Sequence, residues 1–150
     1  MLREILVSSV IVSVCLVLHV VAIVLLGERL IRWRGIRDRT VREYGFILII
    51  AFLGLIIVHL AEIAIWAGFY FQNGLFSDFE TSLYFSTTSY TTIGFGDVVL
   101  PRAWRLLGGI EAVSGVLLVG LSTAFVFAIV NALFQTRLQR VNRNQPGAPA

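Results

Sequence analysis

Three long apolar stretches and one short one divide the chain. Residues Ile5 to Leu26 form a 22-residue run broken only by His19 and a few serines. At about 1.5 Å per residue it reaches about 33 Å, enough to cross the hydrocarbon core of a bilayer. A cleaved signal peptide is the alternative. Its apolar region runs to roughly 7–15 residues before a small-residue site, whereas this run is longer and ends in Leu25-Leu26-Gly27-Glu28-Arg29. The second stretch, Phe46 to Phe71, closes on Trp66, Phe69, Tyr70 and Phe71, the residue types that gather at membrane interfaces. The third, Leu106 to Phe134, is long enough to cross with tilt. Between the last two lies Phe79 to Thr91, which at 13 residues is too short to span but suits a helix that dips in and returns. Asp78 or Ser77 is placed to cap its start, and Glu80 in the first turn suits the positive end of the helix dipole.

Composition supports a membrane protein. Hydrophobic residues make up 57% of the 150 and charged residues 14%, against roughly 25% charged in soluble domains. All twelve basic residues are Arg, and the net charge is +3. Arg29, Arg32, Arg34, Arg37, Arg39 and Arg42 lie in the first linker, and Arg137, Arg140 and Arg143 follow the third stretch. Only Arg3, Arg102 and Arg105 fall on the opposite side. This bias predicts a cytoplasmic linker and C-terminus, with the N-terminus and the short dip outside. It also makes membrane lipids, not nucleic acid, the partner of the Arg clusters. The linker Leu30 to Tyr44 reads either as a helix on the inner leaflet or as a solvated loop. The single cysteine, Cys15, is expected to be a small buried hydrophobe. The Pro- and Gly-bearing end, Val141 to Ala150, has a disordered composition.

The segment Thr91-Thr92-Ile93-Gly94-Phe95-Gly96-Asp97 follows the short dip. Gly94 and Gly96 can take positive φ, which L-residues resist. Backbone of alternating handedness can aim successive carbonyls at one axis and replace the hydration shell of an ion. Ile93 and Phe95 then turn outward to brace the ring against the short helix. Here the chain resembles the tetrameric potassium-channel pore family, whose filter reads T-T-V-G-Y-G-D. Ile stands for Val and Phe for Tyr, and the Phe lacks a hydroxyl available for bonding to the pore helix. The resemblance covers Phe46 to about Phe134. It implies an all-α membrane protein with three transmembrane helices, a re-entrant pore helix and a selectivity filter, assembled as a fourfold homotetramer. The implied division is an N-terminal transmembrane helix at 1–26, a basic linker at 27–45, a pore domain at 46–135 and a disordered tail at 136–150. Within the pore domain the outer helix is 46–71, the pore helix 79–91, the filter 92–97 and the inner helix 105–135. The carbonyls of Thr92, Ile93, Gly94 and Phe95, with Gly96 closing the motif, would hold K+ ions. Thr91, Thr88 and Asp97 would support them. No organic cofactor is implied, and the localisation that follows is a bacterial inner membrane.

In the third stretch Gly115 and Gly120 are either gating hinges, as the resemblance suggests, or close-packing positions. Ser122 and Thr123 either line a wet cavity or bond back to their own helix. Glu111 either braces the filter through pore-helix hydroxyls such as Thr87, Thr88 or Ser89, or reaches water or Arg105. His59 and Glu62, spaced i, i+3 on the second stretch, can face one another, as a static pair or as a pH sensor. His19, alone on the first stretch, is expected to make a helix-packing contact. Asp97, Asp78 and Glu80 make an acidic outer vestibule that attracts cations. There is no Arg at every third position inside an apolar helix, which argues against a voltage sensor. With no nucleophile–base signature, nucleotide fingerprint or EF-hand loop, neither an enzyme nor a soluble substrate is expected. A non-selective cation channel and a non-conducting accessory protein are the competing readings.

Overall fold

The computed structural model describes residues 2–32 and 41–143. Four α-helices carry the fold: α1 (Leu2–Arg32), α2 (Val41–Gln72), α3 (Phe79–Tyr90) and α4 (Arg105–Arg143), with a single 3₁₀ turn at Arg102–Trp104 before α4. Among the described residues there are no strands. The protein is an all-α membrane protein: α1, α2 and α4 are each long and apolar enough to cross a bilayer, and their outward faces carry large apolar side chains such as Leu6, Val17, Phe52, Ile57, Leu117 and Phe127.

Helix ends follow local chemistry. α2 closes at Gly74, whose φ of 63° is open to glycine without a Cβ penalty. The Leu75 N–H donates to the Tyr70 carbonyl and the Gly74 N–H to that of Phe71, both at 3.0 Å, the pattern of a Schellman cap. Asp78 then starts α3: its Oδ1 accepts the Thr81 N–H at 2.7 Å, and its Oδ2 accepts the hydroxyls of Ser77 (2.7 Å) and Thr81 (2.8 Å). Asp78 is thus the cap, with Ser77 buttressing it. The Asp78 carboxyl sits below its ordinary range, chiefly because of the Thr81 N–H.

α3 lies in the angle between α2 and α4, and α1 packs against the same two helices. The core between them includes Cys15, Trp66, Tyr70, Phe85, Tyr90 and Leu107. Cys15 is fully buried, as expected of a small hydrophobe. Arg3 stacks on the ring of Trp104 at 4.7 Å, so the start of α1 and the loop entering α4 share one end of the molecule. That juxtaposition agrees with the grouping of Arg3, Arg102 and Arg105 by sequence.

Helix extents differ from expectation in two places. α1 and α2 extend into the stretch expected to be linker, reaching Arg32 and beginning at Val41; residues 33–40 lie outside the described residues. α4 continues through 136–143, where a disordered tail was expected. Gln, Arg and Leu at 135, 137, 138, 139 and 140 are good helix formers, and extending an existing helix carries no nucleation cost. The rest of the expected tail, 144–150, lies outside the described residues.

Candidate functional site

The segment from Thr91 to Asp97 leaves the C-terminal end of α3 as irregular backbone. Thr92, Gly94 and Gly96 have positive φ, at 62°, 52° and 81°, while Ile93 and Phe95 between them do not. Alternation of this kind can turn successive carbonyls toward the same side, where ordinary extended backbone sends them to opposite sides. Glycine at 94 and 96 was legible as a requirement of this geometry. The positive φ of Thr92 was not, because a β-branched residue seldom takes that conformation.

The segment is tied to the helix that delivers it. The N–H of Thr91 donates to the Thr87 carbonyl (3.1 Å), that of Thr92 to Ser89 (2.9 Å) and that of Gly94 to Thr88 (3.0 Å). Thr88 therefore supports the segment through its backbone oxygen, its hydroxyl being spent on the Phe85 carbonyl at 3.0 Å. The Thr91 hydroxyl donates to the Thr87 carbonyl at 2.7 Å. At the far end, the Tyr84 hydroxyl donates to Asp97 Oδ2 at 2.8 Å and the Val98 N–H to Oδ1 at 3.0 Å. The Tyr84 hydroxyl holds the Asp97 carboxyl below the usual carboxylate range. Ile93 and Phe95 do not pack on this chain's own short helix: they stand 57% and 68% exposed, pointing away from the core that holds α3.

Behind the segment, Glu111 is fully buried. It accepts the Ser86 hydroxyl at 2.5 Å and the Tyr70 hydroxyl at 2.7 Å. Glu111 thus joins α4 to both α3 and α2; on α3 it meets the hydroxyl of Ser86, and that of Ser89, one of those expected, also interacts with it. Thr87 and Thr88 bond back along α3, and Ser89 reaches the Gly108 carbonyl at 2.8 Å. Arg105 donates elsewhere, to the Leu100 carbonyl at 3.3 Å. Sequence reasoning missed Tyr70 and Ser86; buried hydroxyls opposite a buried carboxylate can be paired only once helix rotation is known.

Gly115 lies where α4 touches the end of α3. A Cβ there would fall inside the contact distance of the Tyr90 carbonyl, so close packing is reason enough for glycine. Nothing lies within 4 Å of a Cβ placed at Gly120. Thr123 bonds back to the Val119 carbonyl at 2.9 Å and lines a cavity of about 460 Å³ between α2 and α4. Ser122 is buried and faces His19 and His59.

The expected His59–Glu62 contact is present at 3.1 Å, but it belongs to a larger cluster. Glu62 also meets His19 at 2.9 Å and accepts the Tyr90 hydroxyl at 2.5 Å. The packing contact expected of His19 is therefore a polar one.

Two long apolar helices, with a short helix and an irregular glycine-bearing segment between them, define an all-α membrane protein. The family model for ion channels matches residues 46–132, more than half of the chain, and the chain belongs to that ion-channel family. No curated protein and no solved structure matches it. Family membership points to transport and away from enzymatic turnover.

Proposed function

We propose that this chain is one subunit of a homotetrameric potassium-selective channel that conducts K+ passively. The observation that carries the reading is the alternation of φ at Thr92, Gly94 and Gly96 within the run T-T-I-G-F-G-D. Carbonyls turned to one side, repeated by four subunits around an axis, form the oxygen rings that substitute for the hydration shell of K+. In this reading Thr92, Ile93, Gly94 and Phe95 supply the oxygens. Thr88, Thr91, Asp97 and Glu111 hold the loop that carries them. The exposed Asp78, Glu80 and Asp97 concentrate cations at the outer mouth.

The Arg distribution supports an orientation with the N-terminus and filter outside and the C-terminus cytoplasmic, in what we take to be a bacterial inner membrane. Gly120 is the better gating hinge, because no neighbour there demands a glycine.

The test is the reversal potential of purified protein in planar bilayers under opposed K+ and Na+ gradients. Reversal near the potassium potential is expected. Robust current reversing near zero would replace this reading with a non-selective cation channel, the outcome favoured if the missing hydroxyl at Phe95 leaves the ring too loose.

A further inference from the structure

Both histidines of the chain, drawn from different helices, converge on one buried carboxylate. His19 Nδ1 of α1 lies 2.9 Å from Glu62 Oε1, and His59 Nδ1 of α2 lies 3.1 Å from Glu62 Oε2. The Tyr90 hydroxyl of α3 is 2.8 Å from His59 Nδ1 and 2.5 Å from Glu62 Oε2. On the other side of the rings, Ser122 Oγ of α4 lies 3.0 Å from His59 Nε2 and 3.1 Å from His19 Nε2. His19 and Glu62 are fully buried, and the His59 side chain is 18% exposed.

Proton bookkeeping shows what is missing. With Glu62 ionised and both rings neutral, each ring carries a single N–H. The His19 proton must sit on Nδ1 to meet Glu62. Ser122 then donates to the bare His19 Nε2 and accepts from His59 Nε2. That leaves the His59 Nδ1 lone pair and Glu62 Oε2, 3.1 Å apart, competing for the single proton of the Tyr90 hydroxyl, which lies within reach of both. A cation between these atoms relieves that competition and frees the Tyr90 proton for Glu62.

We propose that His19, His59 and Glu62 bind a divalent transition-metal ion of the Zn2+ class, with the Tyr90 hydroxyl beside the fourth position. With the ion in place both Nδ1 lone pairs point at the metal, and both Nε2–H groups donate to the two lone pairs of Ser122. A metal-bound imidazole usually carries such a partner on its second nitrogen. Ligands about 2.0–2.1 Å from a tetrahedral Zn2+ stand about 3.3 Å apart. His19 approaches Glu62 Oε1 and His59 approaches Oε2, and one ligand atom from each of the three residues lies within 4.8 Å of the others, a spread that modest side-chain rotation closes to tetrahedral spacing. The mixed imidazole and carboxylate set suits Zn2+ over the hard cations Mg2+ and Ca2+. His59 and Ser122 also line the mostly apolar cavity between α2 and α4. Once bound, the ion pins α1 to α2, and through the Tyr90 hydroxyl on Glu62 it bears on the last residue of α3, which makes it a ligand that acts on the base of the proposed filter loop. The site stands whichever cation the filter selects.

A proton on His59 Nδ1 is the other cation that fits the gap, and the experiment separates the two. Protein freed of any histidine tag is titrated with Co2+ and then Zn2+. The expected result is one Co2+ per chain with the visible absorption of a tetrahedral site, displaced by Zn2+, and a melting temperature raised by Zn2+. His19→Gln and Glu62→Gln each abolish the tetrahedral spectrum, and Ser122→Ala weakens affinity about 10–100-fold. If a variant loses its helical circular dichroism, the wild-type titration decides alone. Absence of bound Co2+ at excess metal overturns the proposal. So does a spectrum that His59→Gln leaves unchanged, or a melting temperature that follows pH with no metal taken up.

Discussion

Thr92 is the sole non-glycine residue with positive φ among those described. A strained residue of this kind costs about 1–3 kcal/mol and persists only where its surroundings over-determine it. Here its own N–H and that of Gly94 are fixed to carbonyls of α3. Gly96, at φ 81°, pays no such penalty, and Gly96→Ala is expected to add about 1–2 kcal/mol of strain per subunit. The measurement is again the reversal potential, which should move from the potassium value toward zero while tetramers still form. Unchanged selectivity in this variant would mean that the φ alternation does not set the ion site. Asp97 gives a second residue-scale prediction, with its sign set by linkage. Its folded carboxyl is held below the ordinary value by the Tyr84 hydroxyl, so the bond contributes fully above the unfolded value of about 3.9 and is lost as pH falls through the depressed one. Tyr84→Phe should raise the Asp97 titration midpoint toward that ordinary value. Carboxyl-carbon NMR of the labelled side chain reads it directly, and an unmoved midpoint would remove Tyr84 as the cause.

At the scale of elements, the contact of α4 with the end of α3 explains more than α4's own sequence does. Gly115→Ala drives a methyl group into the Tyr90 carbonyl, and overpacking of this kind costs about 1–3 kcal/mol. Gly120→Ala meets open space and should leave the thermal midpoint unchanged or raise it slightly through better helix propensity. If Gly120 is the hinge, that same variant lowers open probability in single-channel records without loss of stability. Glu111→Ala strips the Tyr70 hydroxyl of its acceptor, at about 1–3 kcal/mol for a buried group left unpaired, while Ser86 keeps the Ile63 carbonyl at 2.9 Å. A lowered denaturation midpoint is expected, with faster decay of current as the loop loosens; an unchanged midpoint would relegate Glu111 to a spectator. The spans and the dip were legible because hydropathy is a property of consecutive residues. The filter glycines and the Asp78 cap were legible because each is a local requirement of the backbone. His19–Glu62, Ser122–His19 and Ser86–Glu111 were not, since residues 43, 103 and 25 positions apart meet only through the rotation of packed helices. Sequence periodicity leaves that rotation open when helices are apolar on most sides.

At the scale of the whole molecule, one chain leaves its central feature uncovered. Ile93 and Phe95, in the segment proposed as the filter, stand 57% and 68% exposed, and large apolar side chains line α4 at Val113, Val116, Leu117 and Phe127. Lipid can cover the helix faces, but Ile93 and Phe95 flank irregular backbone of alternating φ. Such backbone is tolerated at membrane depth where protein buries it or water lines it. In the proposed tetramer, neighbouring copies would meet both needs at once, covering Ile93 and Phe95 and enclosing an aqueous axis. If the oxygen rings exist only between four chains, then K+ binds the assembly and not the separated subunit. Binding to the assembled state alone adds stability as the logarithm of ligand concentration over its dissociation constant, about 2.7 kcal/mol at a hundredfold excess for each site. The expected outcome is a fourfold assembly by native mass measurement in detergent that resists thermal dissociation better in K+ than in Na+ at equal ionic strength. Equal ionic strength matters because screening of the Arg clusters is then identical, leaving ion identity as the variable. A tetramer equally stable in both salts would indicate an oxygen ring that does not discriminate, and a monomer in both would take the filter reading away altogether.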